Sequence, residues 1–337
     1  MSETITIIYP PAIDYKFMHQ RPQQMMKALA ELGANILFIN PQTFFDQKEP
    51  IETPFPHLPN FKVIKTDVDI EPFIKGKVVL WCAVNQEKAI EQYKHDLAIL
   101  DSCDLPSDEF SVWNKLIPIM EEKCDLIFAT APPIFNEHKK NGRNVYLIPN
   151  GADFDHFKSA SSPIGKRPAD LPVTNGLPLI GYYGAVYSWL DLELIDTIAS
   201  HYPVVLIGAQ TIKITNPKVS ALEMRFYEDL PHYLSWFDVA IIPFKMTEMI
   251  KATNPIKFYE YISAGKPVVS VPLPELKNFR DICTFATNEN VLGKIEEALL
   301  TNTAEKVNKR RIVAQQHSWK SRAMVALNII NKTLRID

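Results

Sequence analysis

A chain of 337 residues is more than twice the commonest domain size, so two domains are expected. Its composition, 46% apolar and 22% charged, excludes extended disorder and any need for metal or disulfide staples. A formal charge of −3 excludes general nucleic-acid binding, which requires a basic face.

The first predicted element is the apolar run Thr4 to Tyr9, a strand that ends at Pro10-Pro11. With Glu3 before it, this run lacks the basic start and long apolar core of a signal peptide. Pro22 to Leu32 reads as a helix with Gly33 just beyond it, and Ile36 to Ile39 as the next strand. Strand Val78 to Val84, a helical stretch from Glu87, and strands Leu97 to Leu100 and Leu126 to Ala129 continue the alternation. Such a series implies a parallel sheet covered by helices on both faces.

A second series follows Asn150-Gly151 and a Pro/Ser/Gly-rich linker from Ser159 to Pro178. It runs strand Leu179 to Tyr183, helix Leu192 to Ser200, strand Val204 to Ile207, helix Leu230 to Trp236 and strand Val239 to Pro243. Helix Pro255 to Ala264 and strand Pro267 to Val271 come next. The last amphipathic stretch, Trp319 to Leu334, is expected to return to the first domain. The predicted division is therefore 1–157, 158–318 and a final helix within 319–337. The longest uncharged stretch, Leu171 to Leu190, is broken by glycines and prolines and reads as turn, strand and loop rather than a membrane span.

Cys82, Cys103, Cys124 and Cys283 form no CxxC pair and read as reduced thiols, which predicts a cytoplasmic protein. His95, His138, His201 and His317 show no metal-ligand spacing. The charge is unevenly distributed: residues 1–157 carry 15 basic and 22 acidic side chains, and residues 158–337 carry 21 and 17. A diphosphate is therefore expected on the second half.

The strongest local signal is Thr253-Asn254-Pro255-Ile256-Lys257-Phe258-Tyr259-Glu260-Tyr261, leading to Gly265-Lys266-Pro267. Asn254 suits a helix N-cap, Pro255 the first helical position and Gly265 the C-cap. The free N–H groups and positive dipole end of that helix, with Lys257 in its first turn, can receive a phosphate. Glu260 shares the face of Lys257 and could accept hydrogen bonds from a ribose diol; alternatively the two form an ordinary exposed ion pair.

This run resembles the donor-binding helix of retaining glycosyltransferases of the GT-B fold, family 4 in type, with Glu260 matching the last glutamate of their Glu-x7-Glu motif. Ile148-Pro149-Asn150-Gly151-Ala152-Asp153 with Phe157, Leu179 to Ala185, and Leu230-Pro231 through Phe244 are similar to further pieces of that family in the same order. His19-Gln20-Arg21-Pro22-Gln23 and Asn40-Pro41 resemble a subgroup assigned to surface-polysaccharide synthesis, including that of teichuronic acid. The resemblance implies two Rossmann-like α/β domains facing a central cleft, and transfer of a sugar with retention from a UDP- or GDP-sugar to a saccharide or lipid-linked acceptor. The sugar nucleotide is then a substrate, no cofactor or metal is expected, and peripheral association with the inner membrane face is left open. Two departures stand out. Ala252 occupies the place of the first family glutamate, and Gly184 is followed by Ala185 rather than by a basic residue, leaving Lys245, Lys251 or Lys257 to meet the diphosphate.

The donor-binding candidates are thus Gly184, Arg225, Thr253, Asn254, Lys257 and Glu260. His19, Arg21 and Asp101 are the catalytic candidates. Asp101 lies at a strand end, where it could serve as a base, clamp an acceptor or cap a helix. His19 and Arg21 lie in the first βα loop, with ordinary helix capping and surface charge as their alternative. Arg225 could cradle a base or remain solvated. No GxGxxG run supports a dinucleotide site. A sugar-nucleotide epimerase of the same fold and a non-catalytic assembly subunit are the competing functions.

Overall fold

The computed structural model describes residues 4–336; Glu3, whose charge opposes a signal peptide, and Asp337, the end of the predicted C-terminal segment, lie outside them. The chain divides into two compact units. The first runs to Asn150 and includes Ala252–Asn254 and the chain from Trp319; the second comprises Gly151–Lys251 and Pro255–Ser318.

In the first unit, β1 (Ile5–Tyr9) leads to α1 (Arg21–Glu31) and β2 (Asn35–Asn40). The backbone N–H of Gln20 donates to Gln23 Oε1 at the start of α1, and Gly33 takes the left-handed φ of +98° beyond its end. There follow β3 (Ile51–Glu52), β4 (Phe61–Lys65), β5 (Lys77–Cys82), the short α2 (Ala89–Gln92) and β6 (Leu97–Ser102). Then come α3 (Ile117–Lys123), β7 (Leu126–Ala129), α4 (Pro132–Lys140) and β8 (Val145–Leu147). The sheet order is β3-β4-β2-β1-β5-β6-β7-β8, parallel except for β3 against β4. All residues of β1, β2, β6 and β7 are buried, as befits strands covered on both faces. At the end of β6, the buried His138 bridges Glu121 Oε1 (2.6 Å) and Ser102 Oγ (3.0 Å), holding α3 and α4 to the sheet.

The second unit opens with α5 (Phe154–Phe157), then β9 (Ile180–Tyr183), α6 (Leu192–Ala199), β10 (Val204–Ile207) and β11 (Val219–Leu222). It continues through α7 (Leu230–Ser235), β12 (Val239–Ile242), α8 (Glu248–Lys251), α9 (Ile256–Ser263), β13 (Val268–Ser270) and β14 (Cys283–Phe285). Two helices close it, α10 (Val291–Leu300) and α11 (Ala304–Gln316). Its sheet is wholly parallel, ordered β11-β10-β9-β12-β13-β14. Gly181 allows Phe237 to pack directly on β9, since a Cβ there would fall 2.3 Å from the ring. The final helix, α12 (Trp319–Leu334), belongs to the first unit and packs on α1 through Trp319, Ala323, Ala326 and Ile330, all on one face.

The division falls at Asn150/Gly151 rather than after residue 157, because α5 packs on α9 and the Phe157 ring stacks 6.1 Å from that of Tyr183. The stretch 159–178 is likewise part of the second unit, not a free linker. Ser235 Oγ accepts from the Ile164 N–H, and Arg167 donates to the Leu171 and Pro172 carbonyls.

Candidate functional site

The carboxyl edge of the second sheet is shaped by two glycines. Gly184, after β9, has φ +140°, and Gly208, after β10, has φ +159°. Gly184 donates its N–H to the Ile207 carbonyl, and a Cβ on Gly208 would lie 1.8 Å from the Gly184 oxygen. Only residues without side chains permit that approach.

Helix α9 delivers side chains to the same edge. Tyr261 Oη accepts from the Tyr183 N–H at 3.1 Å, fastening α9 to the end of β9 where the ladder runs out. Gly265, at φ +70°, returns its N–H to the Ile262 carbonyl and closes the helix as the sequence implies. A Cβ on Gly184 would come 3.3 Å from Lys257 Cε, so the Lys257 side chain reaches the glycine turn from the first turn of α9. Lys257 Nζ stands 3.2 Å from Glu260 Oε2 and 5.1 Å from the centroid of the Tyr183 ring.

Glu260 is wholly buried, with 0% exposure, so the ordinary exposed pair considered from sequence is not what forms. Both its carboxylate oxygens and Tyr183 Oη are buried without a hydrogen bond of regular geometry among the described residues. Burial pushes the Glu260 carboxyl above its ordinary range, opposed by the Lys257 ammonium. A buried carboxylate this poorly satisfied costs stability and is open to donors from a ligand.

Around it lies an aromatic wall that sequence reasoning did not assign to the site. His156 stacks on Tyr227 at 4.1 Å and donates Nε2–H to the Tyr227 carbonyl, while Phe157 meets Tyr227 edge-on at 5.6 Å. The only advance signal was Phe157 in the Asp153-to-Phe157 run; His156 and Tyr227 are brought together across 71 positions.

Of the six donor-binding candidates, the structure brings together Gly184, Lys257 and Glu260. Thr253 and Asn254 are grouped with the first unit. Asn254 is not the cap of α9, which starts at Ile256 with Pro255 in the extended cap position. Its Oδ1 accepts the Asn150 N–H at 3.0 Å and its carbonyl accepts Asn150 Nδ2 at 2.6 Å, so these two oxygens serve a long-range clasp. Arg225 joins Asp170 (2.6 Å) and Tyr233 Oη (2.9 Å), half-buried. Of the three lysines considered for the diphosphate, Lys245 donates to the Ser188 carbonyl and Lys251 pairs with Glu248, both exposed; Lys257 alone of these lies at the glycine turn.

The catalytic candidates separate in the same way. Arg21 and Asp101 form a buried pair, with Nε 2.9 and 3.0 Å from the two carboxylate oxygens and Nη2 2.9 Å from one. Nη1 reaches Asn150 Oδ1 at 3.2 Å, and the guanidinium lies 6.0 Å over Trp319. Asp101 therefore neither caps a helix nor stands free as a base, because its charge is committed to Arg21. His19 is half-buried with its ring edge-on to Tyr15. Ala252 is buried in the apolar cluster of the first unit, among residues such as Leu80, Leu100 and Ile127.

Among the described residues, no group of three His, Cys, Asp or Glu side chains could hold a metal, and no helix is long and apolar enough to cross a membrane.

No family model matches the chain. TuaH of Bacillus subtilis (strain 168), assigned as a glycosyltransferase of teichuronic acid biosynthesis, is 24% identical over 224 residues. That match covers 59% of this chain and 54% of the relative, so it spans about half the relative's length. Among solved structures, the sucrose-phosphate synthase of Thermosynechococcus elongatus superposes with a TM-score of 0.75 at 13% identity, over 98% of this chain and 99% of that one. HepE of Anabaena, solved with UDP and glucose, gives 0.62 at 14% identity, over 98% and 99%. The E. coli trehalose-6-phosphate structure bound with UDP-2-fluoro glucose gives 0.68 at 9%, over 96% and 98%. Likeness at these identities establishes the fold: the chain is built as a GT-B protein of two Rossmann-like domains.

Proposed function

We propose that this chain is a glycosyltransferase that binds a UDP- or GDP-sugar on its second unit and transfers the sugar, with retention, to a saccharide or lipid-linked acceptor in surface-polysaccharide synthesis. The observation that carries the reading is Glu260. A fully buried carboxylate with both oxygens short of donors, beside a glycine turn and a lysine, suits a ribose diol next to a diphosphate. Its match to the family's ribose-binding glutamate and the relation to TuaH support the same reading.

In this arrangement the two ribose hydroxyls donate to Glu260. The diphosphate lies over Gly184, where the missing side chain lets it approach the backbone, and Lys257 turns from Glu260 toward the phosphates. The charge that develops on the leaving diphosphate then meets the Lys257 ammonium at the glycine turn. Turnover is expected to persist in EDTA on this account, and loss restored by manganese would refute that part.

The deciding experiment is calorimetric titration of UDP and GDP into the protein and its Glu260→Ala variant. Charge-assisted hydrogen bonds of about 1.5–3 kcal/mol imply roughly a ten- to hundredfold weaker dissociation constant in the variant. An unchanged constant removes the donor site. Incubation with sugar nucleotides then tests the chemistry: acceptor-dependent release of the nucleotide supports transfer, an isomerised donor indicates an epimerase, and binding without turnover an assembly subunit.

A further inference from the structure

A second site stands at the other side of the same unit, beside edge strand β14 and the amino end of β13. A cavity of about 290 Å³ opens there between the sheet and helices α10 and α11. Arg280, Lys306 and Arg310 line it, with the Thr284 and Thr301 backbones or hydroxyls beside them. The acids that also line it are already paired: Glu297 with Lys294 at 2.6 Å, and Asp281 with Lys309. Among the described residues no carboxylate pairs with Arg280, Lys306 or Arg310, so three uncompensated cations share one cavity.

Arg310 is the telling member. It is 3% exposed, and its hydrogen-bond partners among the described residues are neutral: Nε donates to the Gly265 carbonyl at 3.0 Å and Nη2 to Asn302 Oδ1. Burial without a counter-charge pushes this guanidinium down to about 10, against the opposing pull of the Cys283 thiol. A buried cation with no anion is costly and is ordinarily matched by one. Lys306 sits in the first turn of α11, whose dipole adds further positive potential.

We infer that this cavity binds the phosphate group of a small metabolite, held between Arg310 at its base and Arg280 and Lys306 at its rim. Guanidinium groups are suited to phosphate because their N–H donors match two of its oxygens at once. The volume corresponds to roughly ten waters at about 30 Å³ each, which admits a phosphate carrying a sugar-sized group as well as the bare ion. The inference does not rest on the donor-site assignment, since no residue is shared between the two.

The test titrates inorganic phosphate, glucose 6-phosphate and glucose into the full chain at fixed ionic strength, reading heat and melting temperature. Saturable binding of both phosphates, each displacing the other, and none of glucose, is expected. Tighter binding of glucose 6-phosphate identifies a sugar phosphate as the occupant, and equal binding the free ion. Arg280→Gln/Lys306→Gln should weaken both at least about tenfold while leaving UDP and GDP affinity unchanged. Arg310 is left intact because its loss would also open the end of α9. Lys257→Gln separates the sites: phosphate binding that survives it belongs to this cavity. Absence of saturable binding in the unmodified protein, indifference to the double substitution, or loss in Lys257→Gln would overturn the inference.

Discussion

Each unit buries an ion pair, and the two are built in opposite ways. In the first, Arg21 and Asp101 meet in a fork, and Asn150 accepts from the remaining arm of the guanidinium. Asn150 is held in turn by Asn254 and by Arg322, whose Nε donates to its carbonyl. In the second, Glu260 has a single ammonium 3.2 Å from one oxygen and no regular hydrogen bond at either. In the first pair both carboxylate oxygens of Asp101 accept from Arg21 Nε, only Nη2 falls short of a regular hydrogen bond, and the clasp fixes loops in place. The unsaturated pair holds its charge at a cost to the fold and can recover that cost when a ligand supplies donors.

The contrast is broken most severely at Asp101. Asp101→Ala strands a buried guanidinium, and a loss of about 3–5 kcal/mol is expected in denaturant unfolding. Replacing both partners with apolar residues, as in Arg21→Met/Asp101→Leu, should return much of that loss because no charge is left alone. A single substitution costing under about 1 kcal/mol would mean that the clasp is not structural.

Next in size is Gly184→Ala. The backbone there is at φ +140°, and the added methyl would stand 2.7 Å from Tyr182 Oη and 3.3 Å from Lys257 Cε. Strain of about 1–3 kcal/mol is expected, with weaker UDP or GDP binding as Lys257 is pushed aside. A variant of unaltered stability and affinity would separate the glycine turn from the site.

Glu260→Gln sharpens the comparison from the other side. The folded-state carboxyl of Glu260 is raised, so above about pH 4.5 the unfolded chain holds this charge more readily than the fold does. Its contribution therefore falls as pH rises from 4.5 through the raised value and stays low beyond it. The glutamine variant should be more stable at pH 7, on the order of 1 kcal/mol, and lose that advantage below pH 4.5, while binding nucleotide less well. Lower stability at neutral pH would place Glu260 with the structural pairs.

These cases also mark what the sequence could convey. The continuous apolar runs of β1, β7, β9 and β10 and the paired helix signals of α9 were readable, because burial on both faces and capping chemistry are local. The two-residue β3, and β8, β11 and β14, are short strands whose pairing comes from neighbours far along the chain. Asp101 and Arg21 are 80 positions apart, so their commitment to each other carries no local pattern. Asn254 had the right chemistry for a cap, yet its partner Asn150 lies 104 positions away and outcompetes the helix. Glu260 was legible as a site because its spacing from the helix signals survives, although Asn254 is not the cap and Pro255 takes that position instead of the first helical one.

The smallest expected effect concerns Arg225, which lies between the two kinds of pair. Its guanidinium is held by Asp170 and Tyr233 Oη and rests 5.4 Å over the Tyr233 ring, but its side chain is 25% exposed and that of Asp170 36%. Hydrogen bonding to Tyr233 raises the guanidinium further, opposed by burial. Water screens such a pair, so Arg225→Ala should lower stability by only about 0.2–1 kcal/mol. Arg225, considered from sequence for cradling the base, also precedes Phe226, half of whose surface is exposed. If that role holds, the variant will bind UDP or GDP several-fold less tightly despite its small stability change, because a partner to the ligand is lost rather than a support of the fold. An unchanged dissociation constant together with the small stability loss would assign Arg225 to the Asp170–Tyr233 surface cluster alone, and leave nucleotide binding to Gly184, Lys257 and Glu260.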